Sequence, residues 1–383
     1  MSYFNLEQKF NFAKSFIGKK SPLYVQFYIT SRCNLACEQC NIIYSDAKHQ
    51  EMNISQINKV AENLKKIGVN IVLLIGGEPF VRKDIDQIVK AFTNKNIHVR
   101  MQTNGIATEK QLINCVNAGG KDISISLDTL EPEIQDTING GFKKSWERAI
   151  KTIAMVSNTF PDNSTAFFNS VIMPKNINSI EKVIKFATKI GWGVSLVPVH
   201  ISEPSHPMGY RTLDYEKNVT FNDNQELEIK LLIKRLKDLK KNYNLYDSDE
   251  YLDDIENFLL NKPINWRKKN NNVCDSPNLY FAISPSGTLK VCCDYEALKN
   301  IHVYDDNFPN LFFSGEIQKI VYPITNNCNG CMYGSYPEIT ITARNLTAFI
   351  ERLKYFNYQP PKIKRLKFEE LQNIAKEILN EQN

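Results

Sequence analysis

Between residues 24 and 198 the chain alternates short β-rich runs with stretches of helical spacing, and few folds accommodate that order. YVQFYIT (24–30), NIVLLI (70–75), VRMQT (99–103), DISISL (122–127), FFNSVI (167–172) and VSLVPV (194–199) have strand composition. Helical periodicity fills the gaps at 54–67, 85–92, 110–118, 145–157 and 180–190. Strands alternating with helices of this length build βαβ units around a parallel sheet. Six such units are too few to close an eight-stranded barrel. The expectation is therefore an α/β fold, either an open, curved partial (β/α)6 barrel or a doubly wound sheet.

Composition narrows the class further. With 42% hydrophobic and 23% charged residues over 383 positions, the chain can bury a core and is neither disordered nor collagen-like. No apolar run approaches the ~20 residues that span a bilayer, and the most apolar stretch, 71–75, has the length of a core strand. The opening MSYFNLEQKF lacks the basic and apolar regions of a secretory signal. A net charge of +5, from 47 basic and 42 acidic residues, is too mild to imply nucleic-acid binding. A soluble, cytoplasmic protein with no membrane association is expected.

In a reducing compartment, clustered cysteines point to metal ligands or catalytic groups and away from disulfides. Eight of the nine cysteines cluster: Cys33, Cys37 and Cys40 near the start, and Cys274, Cys292, Cys293, Cys328 and Cys331 near the end. Cys115 stands alone in a helical stretch and reads as a small buried hydrophobe. The first group is a C-x3-C-x2-C pattern directly after the first strand run, where a parallel α/β sheet gathers its ligands. Three thiolates can hold three irons of a cubane cluster and leave the fourth open to a small molecule. Structural zinc, by contrast, takes four ligands, usually in paired C-x2-C knuckles.

Together with Gly76-Gly77-Glu78-Pro79 after the second strand run, the C-x3-C-x2-C motif resembles the radical S-adenosylmethionine (SAM) superfamily. The resemblance covers about residues 24–199 and implies a partial (β/α)6 barrel. It also implies a [4Fe-4S] cluster held by Cys33, Cys37 and Cys40, whose open iron chelates SAM. Reductive cleavage of SAM then yields a 5'-deoxyadenosyl radical that abstracts hydrogen from a substrate carbon. Gly76 and Gly77 are expected to let the backbone approach the ligand, and Glu78 to accept from the methionyl amine. Asn104, Ser126 and Asp128 resemble positions that line the SAM site, with Ser126 and Asp128 facing the ribose hydroxyls. One departure from the family pattern is Gln39, where an aromatic commonly precedes the third cysteine.

The second group reads C-x12-G-x4-C, then C-x2-C, around a hairpin at 279–291 with a turn at Ser284-Pro285-Ser286-Gly287. This arrangement resembles the twitch domain, a shortened SPASM domain. It implies one auxiliary [4Fe-4S] cluster on Cys274, Cys292, Cys328 and Cys331, with Cys293 facing away. Tetrahedral zinc is the alternative occupant of the same four thiolates.

The expected organisation is an N-terminal helical extension (1–23), the partial barrel (24–200), a helical linker region (201–272), a small iron–sulfur module containing the hairpin (273–335) and a C-terminal helical segment (336–383). The resemblance implies oxidation or rearrangement of a small metabolite, with a reductase such as flavodoxin or ferredoxin as partner. Modification of a ribosomally made peptide by crosslinking, epimerisation or oxidation is the alternative, and a non-catalytic iron–sulfur or zinc protein a remote one. His200, Glu203, His206, Tyr210 and Arg211 follow the last barrel strand, and none of them is assigned as a catalytic acid or base.

Overall fold

A computed structural model of the chain describes residues 4–40, 50–200, 220–267, 274–293, 295, 297–328, 330–356 and 362–381. Six parallel strands follow the expected order: β1 (Tyr24–Thr30), β2 (Ile71–Gly76), β3 (His98–Thr103), β4 (Asp122–Ser126), β5 (Thr165–Ile172) and β6 (Gly193–Pro198). The crossovers between them carry α2 (Ile54–Lys66), α3 (Ile85–Thr93), α4 (Glu109–Asn117), α5 (Pro132–Ile138), α6 (Ser145–Thr159) and α7 (Ile180–Ile190), after α1 (Leu6–Gly18) at the start. The short α5 goes beyond the sequence expectation; a proline at its first turn, where no amide bond is lost, starts it.

Strand alternation divides the sheet into two chemically distinct faces. Val25, Phe27 and Ile29 of β1, Val72 and Leu74 of β2, and Ile123 and Ile125 of β4 are fully buried in the aliphatic core. The opposite parity, including Gln26, Gln102, Asn169 and Ser195, lines an internal cavity of about 530 Å³. Both faces are covered, which is why the strands read as nearly continuous apolar runs broken by single polar residues.

The sheet does not close, and its order among the described residues is β6-β5-β4-β3-β2-β1-β7-β8-β9. The predicted hairpin, β7 (Tyr280–Ile283) and β8 (Thr288–Lys290), joins the same sheet, with β7 parallel to β1 in the register Tyr24↔Tyr280 to Phe27↔Ile283. A further strand, β9 (Ala297–His302), extends it antiparallel to β8. At the other edge, Leu245 bridges to Val194 in parallel, and Val194 N–H donates to Asn244 O (2.9 Å). That segment joins α8 (Glu226–Leu239) to α9 (Asp249–Leu259), so 220–267 packs on the barrel's last strand. The chain continues through α10 (Phe308–Phe313), α11 (Glu316–Asn326), α12 (Ser335–Arg344), α13 (Leu346–Phe356) and α14 (Phe368–Asn380). No helix is long and apolar enough to cross a membrane among the described residues.

Candidate functional site

Cys33, Cys37 and Cys40 occupy the loop leaving β1, and all three line the cavity. The loop is pinned along its length. Arg32 Nε donates to Glu51 (2.9 Å), Glu38 N–H donates to Ile138 O (3.0 Å), and Lys175 pairs with Glu38 (2.6 Å). Cys37 Sγ–H faces Asn139 Oδ1 at 3.5 Å, and Asn104 Nδ2 lies 3.7 Å from Cys33 Sγ while donating to Asn34 Oδ1 at 2.9 Å. Burial pushes the Cys33 and Cys37 thiols up. Asn34 lies inside the first cysteine motif, whereas Glu51, Asn139 and Lys175 lie outside the motifs, which carried no signal for them.

The Gly76-Gly77 turn packs against this loop. Gly77 N–H donates to Thr30 O (2.9 Å) and Glu78 N–H to Arg32 O (2.8 Å). A Cβ at Gly76 would fall 2.2 Å from Thr30 O, and one at Gly77 would fall 2.1 Å from Arg32 O. Two backbones therefore touch where the sequence suggested backbone against ligand. Both glycines also line the cavity.

Glu78 does not line the cavity. Its carboxylate is buried and accepts from Phe80 N–H (2.9 Å), Thr103 Oγ1–H (2.9 Å) and Asn104 N–H (2.6 Å). Desolvation raises its pKa to about 7 despite these donors. The carboxylate thus ties the end of β2 to the end of β3 and fixes the Asn104 backbone. Asn104, Ser126 and Asp128 do line the cavity, on the polar parity of β3 and β4. Asp128 accepts from Val171 N–H (2.7 Å), and burial lifts its pKa to about 6. His200 also lines the cavity, stacked on Tyr333 at 3.9 Å between ring centroids. Glu203, His206, Tyr210 and Arg211 lie outside the described residues.

At the amino ends of the strands the cavity floor is charged and aromatic. His98 Nε2 lies 3.1 Å from Asp122, and Arg352 pairs with Glu338 (2.6 Å) while its guanidinium stacks on Tyr246 at 3.8 Å. Asp247 supports this floor by accepting from Ser195 Oγ–H (2.9 Å) and Leu196 N–H (2.7 Å); burial and the neighbouring Glu338 raise its pKa. Phe4, Phe12 and Phe16, from the chain around α1, complete the floor.

Three cysteines of the second group pack beside a stack of tyrosines. Cys274 Sγ lies 3.4 Å from Tyr280 Oη, and Tyr280 stacks on Tyr336 at 4.6 Å. Cys274, Cys292 and Cys293 pack on the same aromatic cluster. Cys293 turns into the cavity and donates to Gln26 Oε1 at 3.1 Å, so the adjacent thiols of Cys292 and Cys293 have different surroundings. The backbone carbonyls of Cys328 and Cys331 accept from Arg267 and from Trp266 Nε1 (3.0 Å).

Among the described residues no three His, Cys, Asp or Glu side chains converge on a single metal position. A cubane does not require that convergence, because each thiolate binds a different iron. Three thiols on one pinned loop, facing a cavity with an amide N–H beside Cys33, fit such a cluster. The buried Asn104 Oδ1, which has no hydrogen-bond partner among the described residues, leaves an acceptor for a further ligand.

Residues 27–187 match the Radical SAM superfamily model. Mycofactocin maturase MftC of Mycolicibacterium smegmatis is 27% identical over 176 residues, which are 45% of this chain and 44% of that protein. The probable GTP 3',8-cyclase of Methanococcus vannielii is 30% identical over 168 residues, 43% of this chain and 54% of that protein. The match thus spans about half the length of these relatives. In fold, Streptococcus suis SuiB bound to precursor peptide SuiA aligns with a TM-score of 0.59 at 16% identity, covering 94% of this chain and 80% of that one. Native anSMEcpe with bound AdoMet and Cp18Cys peptide aligns at 0.58 and 16%, covering 93% and 99%. The cofactors of this superfamily are a [4Fe-4S] cluster and SAM, and its members are enzymes. The matching domain model, over a stretch that contains the three-cysteine loop at the cavity mouth, shows that residues 27–187 of the chain form a radical SAM domain.

Proposed function

We propose that the chain is a radical SAM enzyme acting on a peptide substrate, with Cys33, Cys37 and Cys40 holding the cluster and Asn104, Ser126 and Asp128 contacting SAM. When bound, the cluster and SAM together supply a 5'-deoxyadenosyl radical able to abstract hydrogen from an unactivated carbon. The chain's contribution is to hold and shield. The pinned cysteine loop fixes the ligands, and Glu78 positions Asn104 without touching the cavity. The aliphatic outer face keeps water from the sheet. The cavity carries the reading, because it runs unbroken from the three cysteines to Gln26, Gln102 and Asn169. These amides are suited to hydrogen-bond a peptide backbone. Peptides also accompany the two solved structures described above, each of which aligns over most of the chain.

A twitch-like auxiliary [4Fe-4S] cluster on Cys274, Cys292, Cys328 and Cys331 forms part of the proposal, with an electron donor of the flavodoxin or ferredoxin class. Four thiolates would close that cluster to substrate, leaving electron transfer as its task. Likeness to a probable GTP cyclase supports the second reading, a small metabolite. The test is anaerobic incubation of reduced, reconstituted protein with SAM. 5'-Deoxyadenosine above the level of a Cys37→Ala control is expected, and its absence removes the enzymatic reading. Deuterium passing into 5'-deoxyadenosine from a labelled peptide pool, and not from labelled small metabolites, would separate the two substrate classes.

A further inference from the structure

Tyr280, at the start of β7, and Tyr336, in the first turn of α12, are both fully buried beside the second cysteine group. A buried hydroxyl is ordinarily paired. Tyr280 Oη is paired three ways: it accepts from Asp275 N–H at 3.1 Å, meets Thr340 Oγ1 at 2.8 Å and lies 3.4 Å from Cys274 Sγ. A phenol has one proton to give and two lone pairs to fill. The Asp275 amide fills one lone pair and the Thr340 hydroxyl can fill the other, which leaves the proton for sulfur. Asp275 is itself held in place, because its carboxylate accepts from Arg344 Nε at 3.0 Å.

Tyr336 is the opposite case. Its ring is fixed between Tyr280, stacked at 4.6 Å, and Tyr24, edge-on at 6.4 Å, yet its Oη has no hydrogen-bond partner among the described residues. Burial keeps this hydroxyl protonated, and the nearby sulfurs of Cys293 and Cys292 add to that. An orphaned donor buried beside thiols fits an iron–sulfur group, whose sulfides and thiolates act only as acceptors. A ligating cysteine has lost its proton, so at Cys274 the tyrosine would have to be the donor. Hydrogen bonds to its sulfurs stabilise the more negative, reduced state of a cluster and so raise its potential.

We propose that Tyr280 and Tyr336 donate hydrogen bonds to the sulfurs of the auxiliary cluster and thereby raise its reduction potential, so that it accepts an electron more readily. The proposal rests on the auxiliary-cluster reading given above. The test uses the full chain with Cys33, Cys37 and Cys40 replaced by alanine, so that any [4Fe-4S] signal comes from the second cysteine group. Dithionite supplies the single electron that takes the cluster from its 2+ to its 1+ state, and electron paramagnetic resonance at poised potentials follows it. Tyr280→Phe and Tyr336→Phe should each lower the midpoint. Together they should shift the reduction equilibrium by about tenfold, which is about 59 mV for one electron. Tyr243→Phe, in the segment that joins α8 to α9, should leave the midpoint in place. Tyr336→Phe should also leave the melting temperature of the cluster-free chain unchanged, because its hydroxyl has no bond there to lose. If Tyr280→Phe fails to retain iron, Tyr336→Phe decides alone. Retained iron with unmoved or raised midpoints overturns the proposal and leaves the cluster standing. Loss of iron from both variants does the same, since the tyrosines would then be structural. No iron–sulfur signal in the parent chain, or zinc in its place, overturns the proposal and the auxiliary-cluster reading together.

Discussion

An alanine at Gly77 would carry its methyl 2.1 Å from the carbonyl oxygen of Arg32 and 2.5 Å from the carbonyl carbon. Both are backbone atoms, so no rotamer change relieves the overlap, and the segment must withdraw by about 1 Å to reach ordinary contact. Withdrawal stretches the bonds from Gly77 N–H to Thr30 O and from Glu78 N–H to Arg32 O. Overpacking at about 1–3 kcal/mol and two hydrogen bonds at about 0.5–1.5 kcal/mol each give a cost of about 2–6 kcal/mol. The displaced residue immediately precedes Cys33, so the proposed cluster ligands move with it. Thermal melting and iron content of reconstituted protein measure both effects. Gly18→Ala serves as the control, since nothing lies within 4 Å of its Cβ position. The variant at Gly77 is expected to melt roughly 3–7 °C lower and to retain less iron. Full iron content and an unchanged melting point, with only SAM affinity reduced, would refute the packing argument. The glycine would then be serving the ligand.

Two further perturbations probe the same region and the second cysteine group. Burial lifts Glu78 to about 7 from an ordinary 4.5, so the folded chain binds this proton more tightly than the unfolded one. Its contribution to stability is complete below about pH 4.5 and is lost as pH rises through 7, a fall of about 3 kcal/mol that Glu78→Gln should remove. Urea midpoints at pH 5 and pH 8 measure it, and parallel profiles for the two proteins would sink the idea. For the auxiliary site, about eight irons are expected per reconstituted chain, and about four after Cys33, Cys37 and Cys40 are all replaced by alanine. In that background Cys292→Ala should damage the remaining cluster and Cys293→Ala should spare it. The opposite pattern would shift the ligand by one position, and stoichiometric zinc would replace the cluster altogether.

The six barrel strands were legible because each is buried on both faces, so β1 and β2 stand out as apolar runs between turn residues. The cysteine spacings were equally plain, since local spacing is what they encode. The strand β9 was not. Its sequence, ALKNIH, lacks alternation and owes its conformation to pairing with β8. Nor could the sequence reveal that Glu78 is sealed behind Asn104, or that Asp122 reaches His98 and Arg352 reaches Glu338. Those pairings join residues from different elements, and only the folded chain brings them together. For the same cause the sequence could not show that Gly77 also makes a close approach to Arg32, forty-five positions earlier in the chain.

The pairing of β1 with β7 bears on the order in which the molecule is assembled. Strand β1 carries the loop with all three proposed cluster cysteines, yet one of its two neighbours lies about 250 residues later. A chain emerging from the ribosome holds β1 and β2 long before β7 exists. During that interval the edge of β1 offers unpaired amides and carbonyls to any passing strand. Iron delivered early would load onto a strand with one side open, and iron delivered late onto a finished sheet. Synthesis speed and the timing of cofactor delivery are thereby coupled through a single strand. Slowed translation of the later half should raise the aggregated fraction in cells without altering the native state.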